Sequence, residues 1–154
     1  MKNAQHRQES LRNGRYIETG LYYFVTSVTR DRTPFFLKSR AALTVLETLK
    51  WLAEKDRITL VVAVVMPDHL HFIAQLKKET LSRVMHSLKS YSANEINKIL
   101  GRRGHVWERQ YYESGIRSEQ PLIEKVEYCL RNPERKGLVQ DFREYPYWSC
   151  RYEV

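Results

Sequence analysis

The chain has 154 residues, 42% of them hydrophobic, which is the size of one domain that can bury a core without disulfides. Lys and Arg number 26 against 18 Asp and Glu, giving a formal net charge of +8 that favours a polyanionic partner such as nucleic acid. Two cysteines exclude the disulfide framework of a small secreted domain, and no apolar run reaches the roughly 18 residues of a membrane helix, so we expect a cytoplasmic protein without a membrane span.

The first part of the chain predicts an arm, a strand and a helix. Residues 1–15 are polar and basic without periodicity, which predicts a mobile arm in front of a single domain over residues 16–154. Residues 21–30, LYYFVTSVTR, are aromatic and β-branched and predict a strand that ends in a turn. Ser39 is predicted to cap a helix over residues 40–55, where apolar residues recur at helical spacing.

The middle of the chain predicts two adjacent strands and a second helix. Residues 58–66, ITLVVAVVM, are apolar on both faces and predict a central strand covered on both sides. The Pro-Asp pair that follows predicts a turn into a strand that begins at His69. Thr80 is predicted to cap a helix over residues 81–100, and Gly101 is predicted to end it.

The last part predicts a fourth strand, a third helix and an irregular tail. The strand is assigned to residues 105–117, the helix begins at Ser118 and runs to about Asn132, and the tail begins at about residue 138. The order β, α, β, β, α, β predicts an α+β fold: a ferredoxin-like (split βαβ) antiparallel sheet with two helices on one face and an additional C-terminal helix. The other sheet face is left for something else to cover.

Two histidines stand in the third predicted strand. Alternation places His69 and His71 on one face, with Leu70 and Phe72 on the other. Two neutral imidazoles side by side can bind one divalent metal, although most such pairs are satisfied polar residues. The remaining histidines and cysteines are scattered singly, which argues against a structural zinc site.

The third predicted helix carries a tyrosine on its polar side. At 100° per residue, Tyr128 lies at the centre of the polar arc. The opposite arc is apolar and contains Leu122, Ile123, Val126, Cys129 and Leu130. A tyrosine there is ordinarily a surface residue, but Asn132 at i+4 adds an amide on the same predicted helix face.

These features together resemble a known family. MPDHLHF resembles the His-hydrophobic-His motif of the HUH endonucleases, and EYCLRNPERKGLV resembles the tyrosine helix of their single-tyrosine transposases. The similarity is greatest to the REP-associated tyrosine transposases, through VTSVTRDRTPFF, GHVWERQYYESGIR and YPYWSC, and it spans roughly residues 15–150. Insertion-sequence transposases often carry glutamine at the position of Asn132.

The resemblance implies cleavage and rejoining of single-stranded or hairpin DNA by transesterification. Tyr128 would attack a phosphodiester and form a 5′-phosphotyrosine, and His69, His71 and Asn132 would hold Mg²⁺ or Mn²⁺. The protein would act as a monomer or a homodimer. Six arginines would bind the DNA: Arg30, Arg32, Arg102, Arg103, Arg109 and Arg117.

Two other interpretations stay open at this point. A ferredoxin-like sheet with exposed aromatic residues is also how non-catalytic modules bind single-stranded nucleic acid. In the transposase interpretation, Trp107, Tyr111 and Tyr112 would stack on unpaired bases, although core packing is at least as common for aromatic residues in a strand. A plain interaction domain would show no dependence on metal.

Overall fold

The computed structural model describes residues 21–154, so the predicted arm over residues 1–15 lies outside the described residues. The strands are β1 (Tyr22–Val28), β2 (Ile58–Met66), β3 (His69–Leu76), β4 (Tyr112–Ile116) and β5 (Trp148–Cys150). The helices are α1 (Ser39–Glu54), α2 (Leu81–Leu100), α3 (Glu119–Leu130) and the short α4 (Asn132–Arg135). Among the helices of residues 21–154, none combines the length and hydropathy needed to cross a membrane.

The five strands form one antiparallel sheet in the order β4-β1-β3-β2-β5. The first four strands have the arrangement of a split βαβ fold, so the predicted ferredoxin-like α+β class is confirmed. β3 lies at the centre, between β1 and β2, and the register places His71 opposite Thr26 and His69 opposite Val28. The histidine strand is therefore fixed from both sides by backbone hydrogen bonds.

α1 and α2 cover one face of this sheet. Alternate residues of β3, including Leu70 and Phe72, join the apolar stripes of both helices in one core that also holds Leu49 and Leu88. The predicted ends of α2 are confirmed, since Thr80 Oγ1 accepts a hydrogen bond from Arg83 N at 3.2 Å and Gly101 takes the left-handed conformation, with φ of 61°. Ser39 is instead the first residue of α1, and Lys38 occupies the cap position.

The opposite face of the sheet is covered by this chain itself. Val126 and Cys129 of α3 pack with Val62 and Ile73 of the sheet in a second core cluster. The C-terminal segment, residues 136–154, contributes Phe142 and Tyr145 to the same cluster. Ile123 was predicted to face this core but is half exposed, because the buried arc of α3 is narrower than its apolar arc. The expected irregular tail also differs, since residues 148–150 pair with β2 as the edge strand β5.

The predicted fourth strand is shorter than expected. Only Tyr112–Ile116 pairs with β1, and Trp107 makes an isolated bridge to Thr29. The Trp107 side chain is buried and its Nε1 donates to Ser92 Oγ at 3.0 Å. Core packing, rather than continuous strand pairing, therefore fixes the position of this segment.

Candidate active site

The two histidines of β3 lie side by side on the sheet face that α3 covers. Their ring centroids are 4.7 Å apart, and both side chains are buried, with exposures of 8% and 7% for His69 and His71. Their strand neighbours Leu70 and Phe72 point into the other core. The alternation of the strand therefore presents two imidazoles to one small volume.

Each imidazole has a partner that orients its ring. His69 Nδ1 is 2.7 Å from Asp68 Oδ1, and because a carboxylate only accepts, Nδ1 carries the proton and Nε2 keeps its lone pair. His71 Nδ1 is 2.8 Å from Thr26 Oγ1, on the neighbouring strand. Metal-binding histidines commonly use the second ring nitrogen in this way, which fixes the tautomer and the ring plane.

The surroundings favour the neutral imidazoles. Burial, together with the nearby charges of His69, Arg135, Lys125 and Lys136, lowers the pKa of His71 to about 3. Burial also lowers the pKa of His69, although the hydrogen bond from His69 to the Asp68 carboxylate opposes the shift. Both rings are therefore uncharged at neutral pH, which is the form that can bind a metal.

The predicted tyrosine lies beside this pair. Tyr128 is near the end of α3 and is 43% exposed. Its ring centroid is 5.9 Å from that of His71 and 6.1 Å from that of Phe24. The packing of α3 on the sheet thus carries a solvent-accessible phenol to the edge of the histidine pair.

Asn132 reaches the histidines by a different route from the one expected. The prediction placed it on the polar face of the same helix as Tyr128, but α3 ends at Leu130 and Asn132 is the first residue of α4. The side chain is buried, and its Nδ2 lies 3.2 Å from His69 Nε2. Pro133 follows it, and the residue before a proline is disfavoured in a continuing helix.

The donors fit a divalent cation. His69 Nε2, the free nitrogen of His71 and, after a half-turn of the amide, Asn132 Oδ1 would supply three neutral ligands, and imidazole suits Mn²⁺ better than it suits Mg²⁺. Across residues 21–154, no three His, Cys, Asp or Glu side chains gather closely enough to hold a metal ion by themselves. A third ligand at the histidine pair must therefore come from another kind of group, and the Asn132 amide lies within hydrogen-bond distance of His69.

Four of the six predicted arginines line a basic groove on the side of α2. Arg30 and Arg109 line a cavity of about 660 Å³ between α2 and residues 104–109, and Arg102 and Arg103 line an adjoining cavity of about 570 Å³. Arg102 also has a structural role, since its guanidinium lies 4.5 Å from the ring centroid of Phe35 and donates to Asn97 Oδ1 at 2.7 Å.

The other two arginines lie elsewhere. Arg32 is 3.5 Å from Asp68, beside the histidine pair, and Arg117 is exposed just after β4. Of the three aromatic residues considered for base stacking, Trp107 is a core residue and Tyr111 is half buried. Tyr112 is 61% exposed, and its ring centroid is 6.2 Å from that of Phe24, on the histidine side of the sheet.

Sequence reasoning missed several residues of the site. Thr26 is found only through the strand register that pairs it with His71, and Asp68 was assigned to a turn alone. Lys125 precedes Tyr128 by one helical turn, a spacing visible in the sequence, and its Nζ lies 4.9 Å from the tyrosine ring centroid. Arg135, 4.0 Å from the same centroid, depends on the break between α3 and α4.

Comparisons with known proteins place the chain in a family and support its fold. Over 155 aligned residues the chain is 26% identical to a Haemophilus influenzae protein named "Putative REP-associated tyrosine transposase", with 90% of this chain and 84% of that protein covered. A solved REP-associated tyrosine transposase, described as bound to a REP hairpin, superposes with a TM-score of 0.66 at 21% identity over 84% of this chain and 76% of its own.

A second solved structure, a "putative transposase" from Deinococcus radiodurans R1, superposes with a TM-score of 0.53 at 20% identity, covering 70% of this chain and 86% of its own. Both superpositions support the fold. Residues 18–129, which include His69, His71 and Tyr128, match the family described as "Transposase IS200 like". The resemblance inferred from the motifs is confirmed: the chain belongs to the IS200-like transposase family.

Proposed function

We propose that this protein cleaves and rejoins single-stranded DNA by metal-dependent transesterification through Tyr128. The observation that carries the proposal is the exposed Tyr128 ring, 5.9 Å from His71 and beside two buried, oriented, neutral imidazoles. Because buried histidines are hydrogen-bonded in any core, the two orienting hydrogen bonds alone do not distinguish a catalytic pair, whereas the accessible phenol beside them does.

In the proposed step, Tyr128 Oη attacks the phosphorus of a phosphodiester. The new Oη–P bond forms as the P–O3′ bond breaks, the phenolic proton passes to solvent, and the departing O3′ takes up a proton. Mg²⁺ or Mn²⁺ held by His69, His71 and Asn132 would polarise the phosphodiester and stabilise the charge on the departing oxygen. The product is a 5′-phosphotyrosine with a free 3′-hydroxyl, so the reverse attack by another 3′ end rejoins DNA without ATP.

The proposed substrate carries a hairpin next to the cleaved single strand. The structural neighbour described as bound to a REP hairpin supports this choice, as does the net charge of +8. The basic groove lined by Arg30 and Arg109 would hold the duplex backbone. Arg30 lies two residues beyond the end of β1, and the last residue of β1, Val28, pairs with His69, so the groove lies near the end of the sheet at which His69 stands.

The alternative, a non-catalytic module that binds single strands on an open sheet, has less support. In such modules bases stack on aromatic residues of an uncovered sheet face. Here α1 and α2 cover one face, and α3 with the C-terminal segment covers the other. One chain also holds both the tyrosine and the histidines, so we propose that a monomer can be active, whether or not the protein dimerises.

The test is incubation with a 5′-labelled and, separately, a 3′-labelled hairpin oligonucleotide with single-stranded flanks, in Mn²⁺ or in EDTA, followed by denaturing electrophoresis. We expect a covalent adduct that requires metal, retains the 3′ label and disappears in Tyr128→Phe. Tyr112→Phe is the matched control, because Tyr112 is exposed on the same side of the sheet. An adduct that survives Tyr128→Phe and is lost in Tyr112→Phe would contradict the assignment.

A further inference from the structure

Two cations flank the ring of Tyr128. Lys125 Nζ lies 4.9 Å from the Tyr128 ring centroid and 4.7 Å from that of Phe24. Arg135 Cζ lies 4.0 Å from the Tyr128 ring centroid, and its Nη2 donates to the Tyr128 backbone carbonyl at 2.7 Å. One cation comes from α3 itself and the other from the end of α4, so they approach the phenol from two different elements.

Within residues 21–154, neither cation is paired with a carboxylate. Within residues 21–154, the ion pairs of this region belong to Arg131, which contacts Glu127 at 3.9 Å and Glu134 at 2.9 Å. Lys125 and Arg135 form no ion pair in the same part of the chain. A pair of unneutralised cations beside an accessible phenol leaves room for an anion, and phosphate is an anion that lysine and arginine both bind well.

The two cations differ in what they can do. Arg135 contacts the ring face and the carbonyl of the same residue, so it restricts both the ring and the last turn of α3. Lys125 is only half buried and bridges two rings through its ammonium, which keeps three donors on a flexible stem. The geometry therefore suits Arg135 for holding the nucleophile and Lys125 for meeting the group that it attacks.

We propose that Lys125 binds the phosphodiester attacked by Tyr128 and that Arg135 is a positioning residue that holds the phenol towards it. The inference rests on the proposed function and adds two residues to the reaction. Before attack, the Lys125 ammonium contacts a non-bridging oxygen of the phosphodiester. In the phosphotyrosine, the same contact persists on the phosphate now bonded to Tyr128 Oη, so the cation acts on cleavage and on rejoining alike.

The experiment measures single-turnover adduct formation and hairpin affinity in the full-length protein with Mn²⁺. The variants are Lys125→Gln and Arg135→Gln, and the controls are Lys50→Gln and Arg40→Gln, which remove the same charges from exposed positions on α1. We expect each test variant to slow adduct formation about 10²-fold, a usual loss for one electrostatic contact to the reacting group. The Kd for the hairpin should change far less, because the groove still binds the duplex.

Conservative variants separate this role from a structural one. Lys125→Arg should restore most of the rate, since the charge returns within reach of the phosphate, and Arg135→Lys should restore little, because lysine lacks the planar group that stacks on the ring. If a glutamine variant is less stable than the unaltered protein, the Lys125→Arg and Arg135→Lys variants still test the proposal. Rates equal to those of the controls, or equal losses of rate and affinity, would overturn the proposal. If the unaltered protein itself forms no adduct, the proposed function fails instead.

Discussion

Acidification should destabilise the metal-free protein through His71. Burial and the neighbouring positive charges lower its pKa from 6.5 to about 3 in the folded state. Because the folded-state pKa is the lower one, the unfolded chain takes up the proton first as the pH falls. The stabilising contribution is present above the unfolded pKa of 6.5 and is lost progressively between pH 6.5 and pH 3.

The size of this effect follows from the two pKa values. Between pH 7 and pH 5 the unfolded-state imidazole becomes protonated while the folded-state imidazole stays neutral, which removes about 2 kcal/mol of unfolding free energy. The lowered pKa of His69 acts in the same direction. The loss is substantial beside the roughly 5–15 kcal/mol that separate folded from unfolded states in ordinary domains.

Urea unfolding in EDTA at pH 7 and pH 5 measures this contribution. His71→Gln removes the titrating group, so its loss of unfolding free energy between the two pH values should be smaller than that of the unaltered protein by about 2 kcal/mol. His86→Gln is the matched control, because His86 is exposed on α2 and far from this cluster in the fold. Equal losses in the His71 variant and the unaltered protein would show that His71 does not carry this pH dependence.

Three further predictions concern binding. Hairpin affinity should fall steeply between 50 and 200 mM salt, because cations that neutralise phosphates release counterions, and an unchanged Kd in a fluorescence anisotropy titration would count against a nucleic-acid partner. In calorimetry, Mn²⁺ should bind more tightly than Mg²⁺, because imidazole ligands favour Mn²⁺. Mn²⁺ should also bind more tightly with an uncleavable hairpin than without it, because three neutral ligands need phosphate to balance a dication. Equal Mn²⁺ affinity with and without DNA would contradict this. Asp68→Asn should weaken Mn²⁺ binding about 10- to 100-fold, because it removes the carboxylate that orients His69. Asp56→Asn, at an exposed turn, is the control and should leave Mn²⁺ binding unchanged. Equal losses in the two variants would show that Asp68 acts only through its charge.

The arrangement of the histidines follows from local sequence pattern. Side chains alternate with a period of two along any strand, so the apolar neighbours of His69 and His71 decide which way both imidazoles point. The order of elements then leaves few possible sheets, which is why the fold class could also be predicted. Alternation within one strand does not determine its register with the neighbouring strand, and the contact of Thr26 with His71 depends on that register.

The environment of Asn132 could not be predicted in the same way. Extrapolating one helix through Asn132 placed its amide on the surface beside Tyr128, but the chain leaves the helix at Arg131, where ψ is 0°. A new short helix begins at Asn132, and this change of direction points the Asn132 amide inward to His69. The contact of Arg135 with the tyrosine ring depends on the same break, so one change of direction in the backbone accounts for both differences.

Mapping the covalent adduct to a single residue shows whether Tyr128 is the nucleophile. After reaction with the hairpin in Mn²⁺, nuclease trimming of the DNA and digestion with trypsin, cleavage after Lys125 and Arg131 yields VEYCLR, in which Tyr128 is the single tyrosine. Tyr111 and Tyr112 fall in a separate peptide, QYYESGIR. We expect a nucleotide 5′-phosphate on VEYCLR, with fragmentation placing it on the tyrosine. The same modification on QYYESGIR, with VEYCLR unmodified, would contradict it.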